Sequence, residues 1–406
     1  MNIKLNDMKI LANPFFANFL VWFVVLLLYE VRLSELYPAL SPQMLQFLIS
    51  TAICSLILYF LIPVPKNDIR QDTIKHFSMK KMKYVIMVIY IGLMAECLYA
   101  GKVPLLAVFL ENGYLYTKFG IPTFHVLFLT FTSFYTVLLF YVFLIKNDKS
   151  ILKYIALLFL VPVLIVNRGT LTMDILTCGI IFISVYKNWS PRKLLYCVSV
   201  ILLMFFVFGV AGNIRSIHLP GQDRNAGYSS NYILNIGKAN SAFNNSIIPD
   251  EFFWTYLYIS SPLANFQNTV NENKVFFEYN NLPKMMIMEI LPDYMSKRIA
   301  PFFNLQKEKA TLISPFLTTS SYYTGGYIYL GWIGPTILYI LLNFYILLYF
   351  VLLRTYKTFA IIGIALLTTM VYLNIFDNMI TFAGLSFQLL YPIIFSLKAC
   401  RKLIGF

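Results

Sequence analysis

The chain has 406 residues, 59% of them hydrophobic and only 12% charged, with a mean hydropathy of +0.70. That much apolar surface excludes a soluble globular domain and places the chain among polytopic membrane proteins. A formal net charge of +14 would suit a nucleic-acid binder, but the basic residues fall between apolar runs, which argues against nucleic acid as a partner.

Crossing a bilayer as a helix takes about 20 predominantly apolar residues. In chain order, the runs that qualify are residues 14–30, 43–63, 84–100, 122–145, 151–167, 169–186, 194–212, 332–353, 359–376 and 380–397. The expected fold class is all-α, a polytopic membrane protein of about ten transmembrane helices. Spans one to seven fall in residues 1–212, a large extracytoplasmic loop covers 213–331, and spans eight to ten fall in 332–406. A loop of this length without structure of its own would be unusual, so short helices are expected within it. The first apolar run lacks a small-residue cleavage site and reads as a retained span.

Lysine and arginine set the orientation. The connections holding Lys4 and Lys9, Lys66 to Lys83, Lys146 to Lys153, Lys187 to Lys193, Arg354 and Lys357, and Lys398 to Lys402 carry 19 basic residues. The short connections on the other side carry about four. Both termini are therefore expected in the cytoplasm and the large loop outside. Cys54, Cys97, Cys178, Cys197 and Cys400 lie in or beside spans, none in the large loop, and read as small buried hydrophobes.

Three outer segments break the apolar pattern. Residues 101–122 (GKVPLLAVFLENGYLYTKFGIP) suggest a short helix at the interface, with Tyr114, Tyr116 and Phe119 at headgroup level. The large loop contains FFWTYLYISSPLANF (252–266), expected as an amphipathic or re-entrant helix lining a groove, and LPKMMIMEILP (282–292). Residues 322–335 (YYTGGYIYLGWIGP) enter the eighth span. Their glycines, Gly325 and Gly326 among them, permit close backbone approach or tight turns, or simply helix packing.

The candidate functional residues cluster near the outer face. Arg168 opens the sixth span, and Arg168, Thr172, Ile175 and Gly179 share one helix face at i, i+4, i+7 and i+11. An arginine there can clamp a phosphate with its fork of donors, while Gly179 leaves room below for a neighbour or a lipid chain. The alternative is an arginine that snorkels to headgroups or loop carbonyls. Arg215 follows the seventh span, with His218, Asp223 and Arg224 close by. Arginine, histidine and arginine together suit a diphosphate, and equally an ordinary polar loop attachment. His218 is a candidate base. Among the acids, Asp174 within the sixth span, Glu96, Asp377, and the loop residues Asp250, Glu251, Glu278, Glu289 and Asp293 are candidates that the sequence does not rank. No P-loop, no zinc-type His or Cys cluster and no Gly-x-Ser-x-Gly elbow occurs, so neither a metal nor another cofactor is expected.

With these residues the chain resembles the bacterial polysaccharide repeat-unit polymerases of the O-antigen polymerase, or Wzy, type. The likeness rests on GKVPLLAVFLENGYLYTKFGIPTFH after span three and on Arg168 with Gly179, similar to an arginine-x10-glycine motif. It rests also on Arg215 before the loop with FFWTYLYISSPLANFQNT, and on YYTGGYIYLGWIGP at its exit. The second arginine departs from the pattern, with Gly227 twelve positions on instead of eleven. The resemblance implies a GT-C-like glycosyltransferase of the bacterial cytoplasmic membrane. It would move a growing glycan en bloc from undecaprenyl diphosphate to a lipid-linked repeat unit on the outer face. The implied partners are undecaprenyl-diphosphate-linked oligosaccharides, the bilayer and a chain-length regulator protein. A ligase that passes finished glycan to a final acceptor shares these residues. A lipid-linked oligosaccharide flippase is the reading from a different class, expected to show repeated halves and charges along an aqueous path.

Overall fold

The computed structural model describes residues 5–65, 74, 77–110, 119–186, 189–217 and 231–406, and no β-strand occurs among them beyond an isolated bridge between Ser34 and Ala239. The principal helices are α1 (Pro14–Glu30), α2 (Pro42–Leu61), α3 (Met79–Ala100), α4 (Phe124–Lys146), α5 (Leu152–Leu164), α6 (Arg168–Val185) and α7 (Pro191–Ile217). They continue with α8 (Phe252–Glu272), α9 (Tyr322–Leu330), α10 (Ile333–Thr355) and α11 (Ala360–Leu373).

Every expected span coincides with helix, but among the described residues six helices, α2, α3, α4, α6, α7 and α10, are long and apolar enough to cross a membrane. The remaining four expected spans are shorter or bent. Helix α1 has 17 residues, and α5 has 13 with Pro162 inside. Helix α11 extends only through Lys357–Leu373 with its leading turn, and the last run breaks into Ala383–Ile394 and Lys398–Ile404 at 106°.

Local chemistry accounts for the helix starts. Asn13 accepts hydrogen bonds from the Phe15 and Phe16 amides ahead of Pro14, and Ser41 and Ser78 cap α2 and α3 in the same way. The tight joint between α5 and α6 has two parts. Val166 turns into the left-handed region at φ 58°, and the Asn167 side chain then accepts from the Thr170 amide to start α6. Arg168 is thereby placed at a helix N-terminus.

Helix α4 is the axle of the bundle, with 72% of its span buried, and it packs on α5 and α6. Helix α6 also packs on α11, which meets α1, and α1 meets α2 and α8. Helix α7 leaves this core and packs on α8 instead, with only 6% of its span buried. Gly209 faces the Glu251 carbonyl there, Gly212 faces the Trp254 ring, and Trp254 Nε1 donates to Asn213 Oδ1 at 2.7 Å.

The connections gather at two ends. Arg354 reaches the Pro63 carbonyl, Lys146 the Phe77 carbonyl, Lys81 the Lys402 carbonyl and Arg401 the Thr358 hydroxyl, so four of the six lysine- and arginine-rich connections meet one another, while the Ala12 and Leu11 carbonyls of the N-terminal one accept from Thr368 and Tyr372 of α11. At the other end Arg298 bonds Thr123, Tyr322 bonds Asn374, and Asn240 bonds Leu33.

Among its described residues the large loop contains helices, as its length required. It begins later than expected, because α7 runs on to Ile217 and keeps Asn213 and Arg215 inside its last turns. Residues 252–266 lie in α8, an amphipathic helix whose Asn265 and Thr269 hold the returning segment at Ile313, Leu317, Thr319 and Thr311. Between α9 and α10, Gly326 and Gly334 face each other so closely that neither could carry a Cβ without displacing the other's backbone. Phe119 is buried with its ring edge-on to His125, and Tyr114 and Tyr116 lie outside the described residues.

Candidate functional site

At the end opposite the basic connections, the loop and the turn after α11 enclose a cavity of about 350 Å³, adjoined by a smaller one of about 190 Å³ that shares Met288 and Leu305. Three segments far apart in sequence build it. Pro292 ends the preceding turn and Asp293 opens the short helix Asp293–Ile299, which presents Ser296 and Lys297 to the cavity. The Asp293 amide bonds the Thr381 carbonyl, its carboxylate accepts the Ala383 amide at 3.1 Å, and Lys297 lies 3.6 Å away, one helical turn on. The turn after α11 supplies Asp377, whose carboxylate accepts the Asn378 amide, and Asn378, whose side-chain amide donates to the Glu289 carbonyl at 2.7 Å.

Glu289 lies immediately behind this wall. It belongs to a π-helical turn, Met286–Ile290, a local geometry that recurs at functional sites. It is 3% exposed, its Oε1 accepts no hydrogen bond among the described residues, and the Lys307 ammonium stands 3.5 Å from it. Burial pushes the Glu289 carboxyl above its ordinary 4.5; Lys307 opposes the shift and Asp377 adds to it. Burial pulls the Lys307 ammonium down, yet Glu289 and Asp377 together hold it above its ordinary value. The space Glu289 fills exists because residue 325 is glycine: a Cβ there would overlap the carboxyl group.

The result is a cavity with two carboxylates, two ammonium groups, Asn378, Ser296 and Thr381 on its wall, the larger, apolar share of which comes from Met288, Ala300, Pro301, Leu305 and Phe382. Such a lining suits a hydroxyl-rich ligand, which offers both donors and acceptors. Among the described residues no group of three or more His, Cys, Asp or Glu side chains is placed to hold a metal ion.

The residues singled out in the sequence distribute as follows. Arg168 is exposed at the head of α6 and lines neither cavity. Thr172, Ile175 and Gly179 below it are exposed as well, and nothing lies within 4 Å of where a Gly179 Cβ would stand. The face deduced from spacing is thus a continuous open lane. Arg215 lies in the last turn of α7, while His218, Asp223, Arg224 and Gly227 are outside the described residues. Asp174 is buried between α4 and α6, where its carboxylate accepts the Ser133 hydroxyl, away from either cavity. Asp250 and Glu251 precede α8 beside α7 and also lie outside the cavities, as does Glu278. Glu96 is buried near the C-terminal end of α3, and both of its oxygens lie 2.9–3.0 Å from His125 Nδ1.

Lys297, Lys307, Asn378 and His125 escaped sequence reasoning. The one available signal was the run Asn374, Asp377, Asn378, three polar residues in a turn between apolar runs. No family model, no curated protein and no solved structure matches this chain.

Proposed function

We propose that this chain is a membrane glycosyltransferase that polymerises lipid-linked oligosaccharides, moving a growing glycan from a polyprenyl diphosphate to the next lipid-linked unit. The observation that carries the reading is the open lane on α6. A cationic fork stands at its head, and an exposed helix face with an unfilled glycine runs below it into the apolar zone. A polyprenyl diphosphate has the matching shape, an anionic head on a long apolar chain. As the glycosidic bond breaks, negative charge grows on the diphosphate, and a guanidinium already in place favours that state over the ground state. The cavity, with the charged groups of Asp293, Lys297, Lys307 and Asp377 set among apolar side chains, suits the hydroxyls and ring faces of the acceptor glycan. In this reading the end bearing the cavity is the outer face of a bacterial cytoplasmic membrane and both termini are cytoplasmic, in keeping with the clustered lysines and arginines.

The test is reconstitution of the whole protein in liposomes with lipid-linked repeat units. A ladder of longer chains supports the proposal. A single addition to a different acceptor would indicate a ligase, and movement of label across the bilayer without new bonds would indicate a transporter.

A further inference from the structure

The pair Glu96–His125 takes no part in the mechanism above, yet it is built like a working acid–base pair. Glu96 is wholly buried while the His125 side chain is 25% exposed. A carboxylate at Nδ1 fixes the imidazole tautomer, so that Nδ1 carries the proton and Nε2 presents its lone pair. Gly120, at φ 107°, abuts the Nδ1 side of the ring, where a Cβ would overlap it, and Phe119 packs edge-on. Those contacts enclose the Nδ1 side of the ring.

One contact links the segment before His125 to the helix that walls the cavity. Thr123, two residues before the histidine, is a β-branched residue at φ 71°, a strained conformation of the kind that collects at functional sites. Its hydroxyl accepts from Arg298 at 3.2 Å, and Arg298 is the neighbour of Lys297 on that helix. Asp293 and Asp377, the carboxylates of the cavity itself, are committed to the backbone amides of Ala383 and Asn378.

We propose that His125 is the proton acceptor of the transfer reaction, with Glu96 as its positioning residue; this rests on the polymerase reading. The acceptor hydroxyl gives its proton to His125 Nε2 as its oxygen bonds to the anomeric carbon. The bond from that carbon to the diphosphate breaks, and the electron pair leaves with the diphosphate. Glu96 stabilises the imidazolium until the proton passes to water. Imidazole suits the task because its charge changes near neutral pH.

The experiment uses the full chain in liposomes with lipid-linked repeat units. H125Q is expected to lower turnover by roughly 10²-fold or more with little change in KM for the acceptor. E96Q is expected to lower turnover by about tenfold or more, again with little change in KM for the acceptor, since the imidazolium formed in the transition state loses its counter-charge. E96D should restore part of the rate. Folded H125Q with turnover within a few-fold of the parent overturns the proposal, as does undiminished turnover in E96Q should H125Q fail to fold. A parent protein that makes no ladder overturns the polymerase reading and this proposal together, whereas a parent ladder undiminished in H125Q overturns this proposal alone.

Discussion

The carboxyl group of Glu289 occupies the space that a side chain on Gly325 would require. Two segments 36 positions apart in the sequence are thereby locked in register, and the buried carboxyl is held toward Lys307. The next glycine makes a different contact, because Gly326 meets the backbone of Gly334.

That difference predicts an order of damage. G325A needs only the end of a side chain to move, and should cost about 1–3 kcal/mol, as overpacking does. G326A presses on backbone that has no rotamer to change, and should cost more. Thermal unfolding of the two variants in the same detergent checks the order, and equal melting temperatures would contradict it.

The lane on α6 separates function from stability. G179A should fold at least as well as the parent, gaining up to about 1 kcal/mol from helix propensity, because nothing stands in the way. G179F should fold too but close the lane, and glycan ladders should shorten or vanish. R168A and R168K should both lose roughly 10²-fold in polymerisation, since an ammonium cannot replace a bidentate fork on a diphosphate. Normal ladders from G179F or from R168A would remove the lane from the mechanism.

Glu289 makes stability depend on pH. Its folded carboxyl titrates above the ordinary 4.5, so between those two values the folded state binds more proton than the unfolded one. The stabilisation is complete below 4.5 and is lost as pH rises through the raised folded value. The Lys307 pair offsets part of this loss up to much higher pH, where the lysine itself deprotonates. The expected result is a melting temperature that declines as pH rises from 4.5, with a shallower decline in E289Q. An identical slope in parent and E289Q would show that the carboxyl is not the cause.

Asp174 is placed to hold helices together. Its carboxylate is buried and bonded to Ser133 across the α4–α6 contact. D174N keeps an acceptor for that hydroxyl and should cost less than D174A, which leaves the Ser133 hydroxyl unpaired at about 1–3 kcal/mol. Turnover per folded molecule should stay near the parent in both, as measured by ladder formation normalised to folded protein. A collapse of turnover in D174N at full stability would return this residue to the chemistry.

Much of the architecture was legible before any tertiary contact was known. The apolar runs become helices because a backbone in lipid must satisfy its own hydrogen bonds. The polar face of the loop, the cap at Asn167 and the close glycines at 326 and 334 also follow from local rules. The site was less legible. Arg168 and Gly179 share the open face that their spacing required, but the cavity draws Glu289, Lys307 and Asp377 from segments with no shared motif. Asp250 and Glu251 looked as suitable as Glu289 in the sequence, and only packing buries the last of these.

What the chain by itself determined is that it lies in a membrane, where its helices begin, and that most of its basic connections gather at one end. Which helix lies at the centre was decided by the tertiary structure. Helices α4 and α7 have hydropathies of 2.0 and 2.7, yet 72% of one span is buried and 6% of the other. In water an apolar stripe marks the inner face of a helix. In lipid the surroundings are as apolar as the core, so hydropathy no longer distinguishes inside from outside, and neighbours are chosen by shape, glycine gaps and pairs such as Asp174–Ser133 and Glu96–His125.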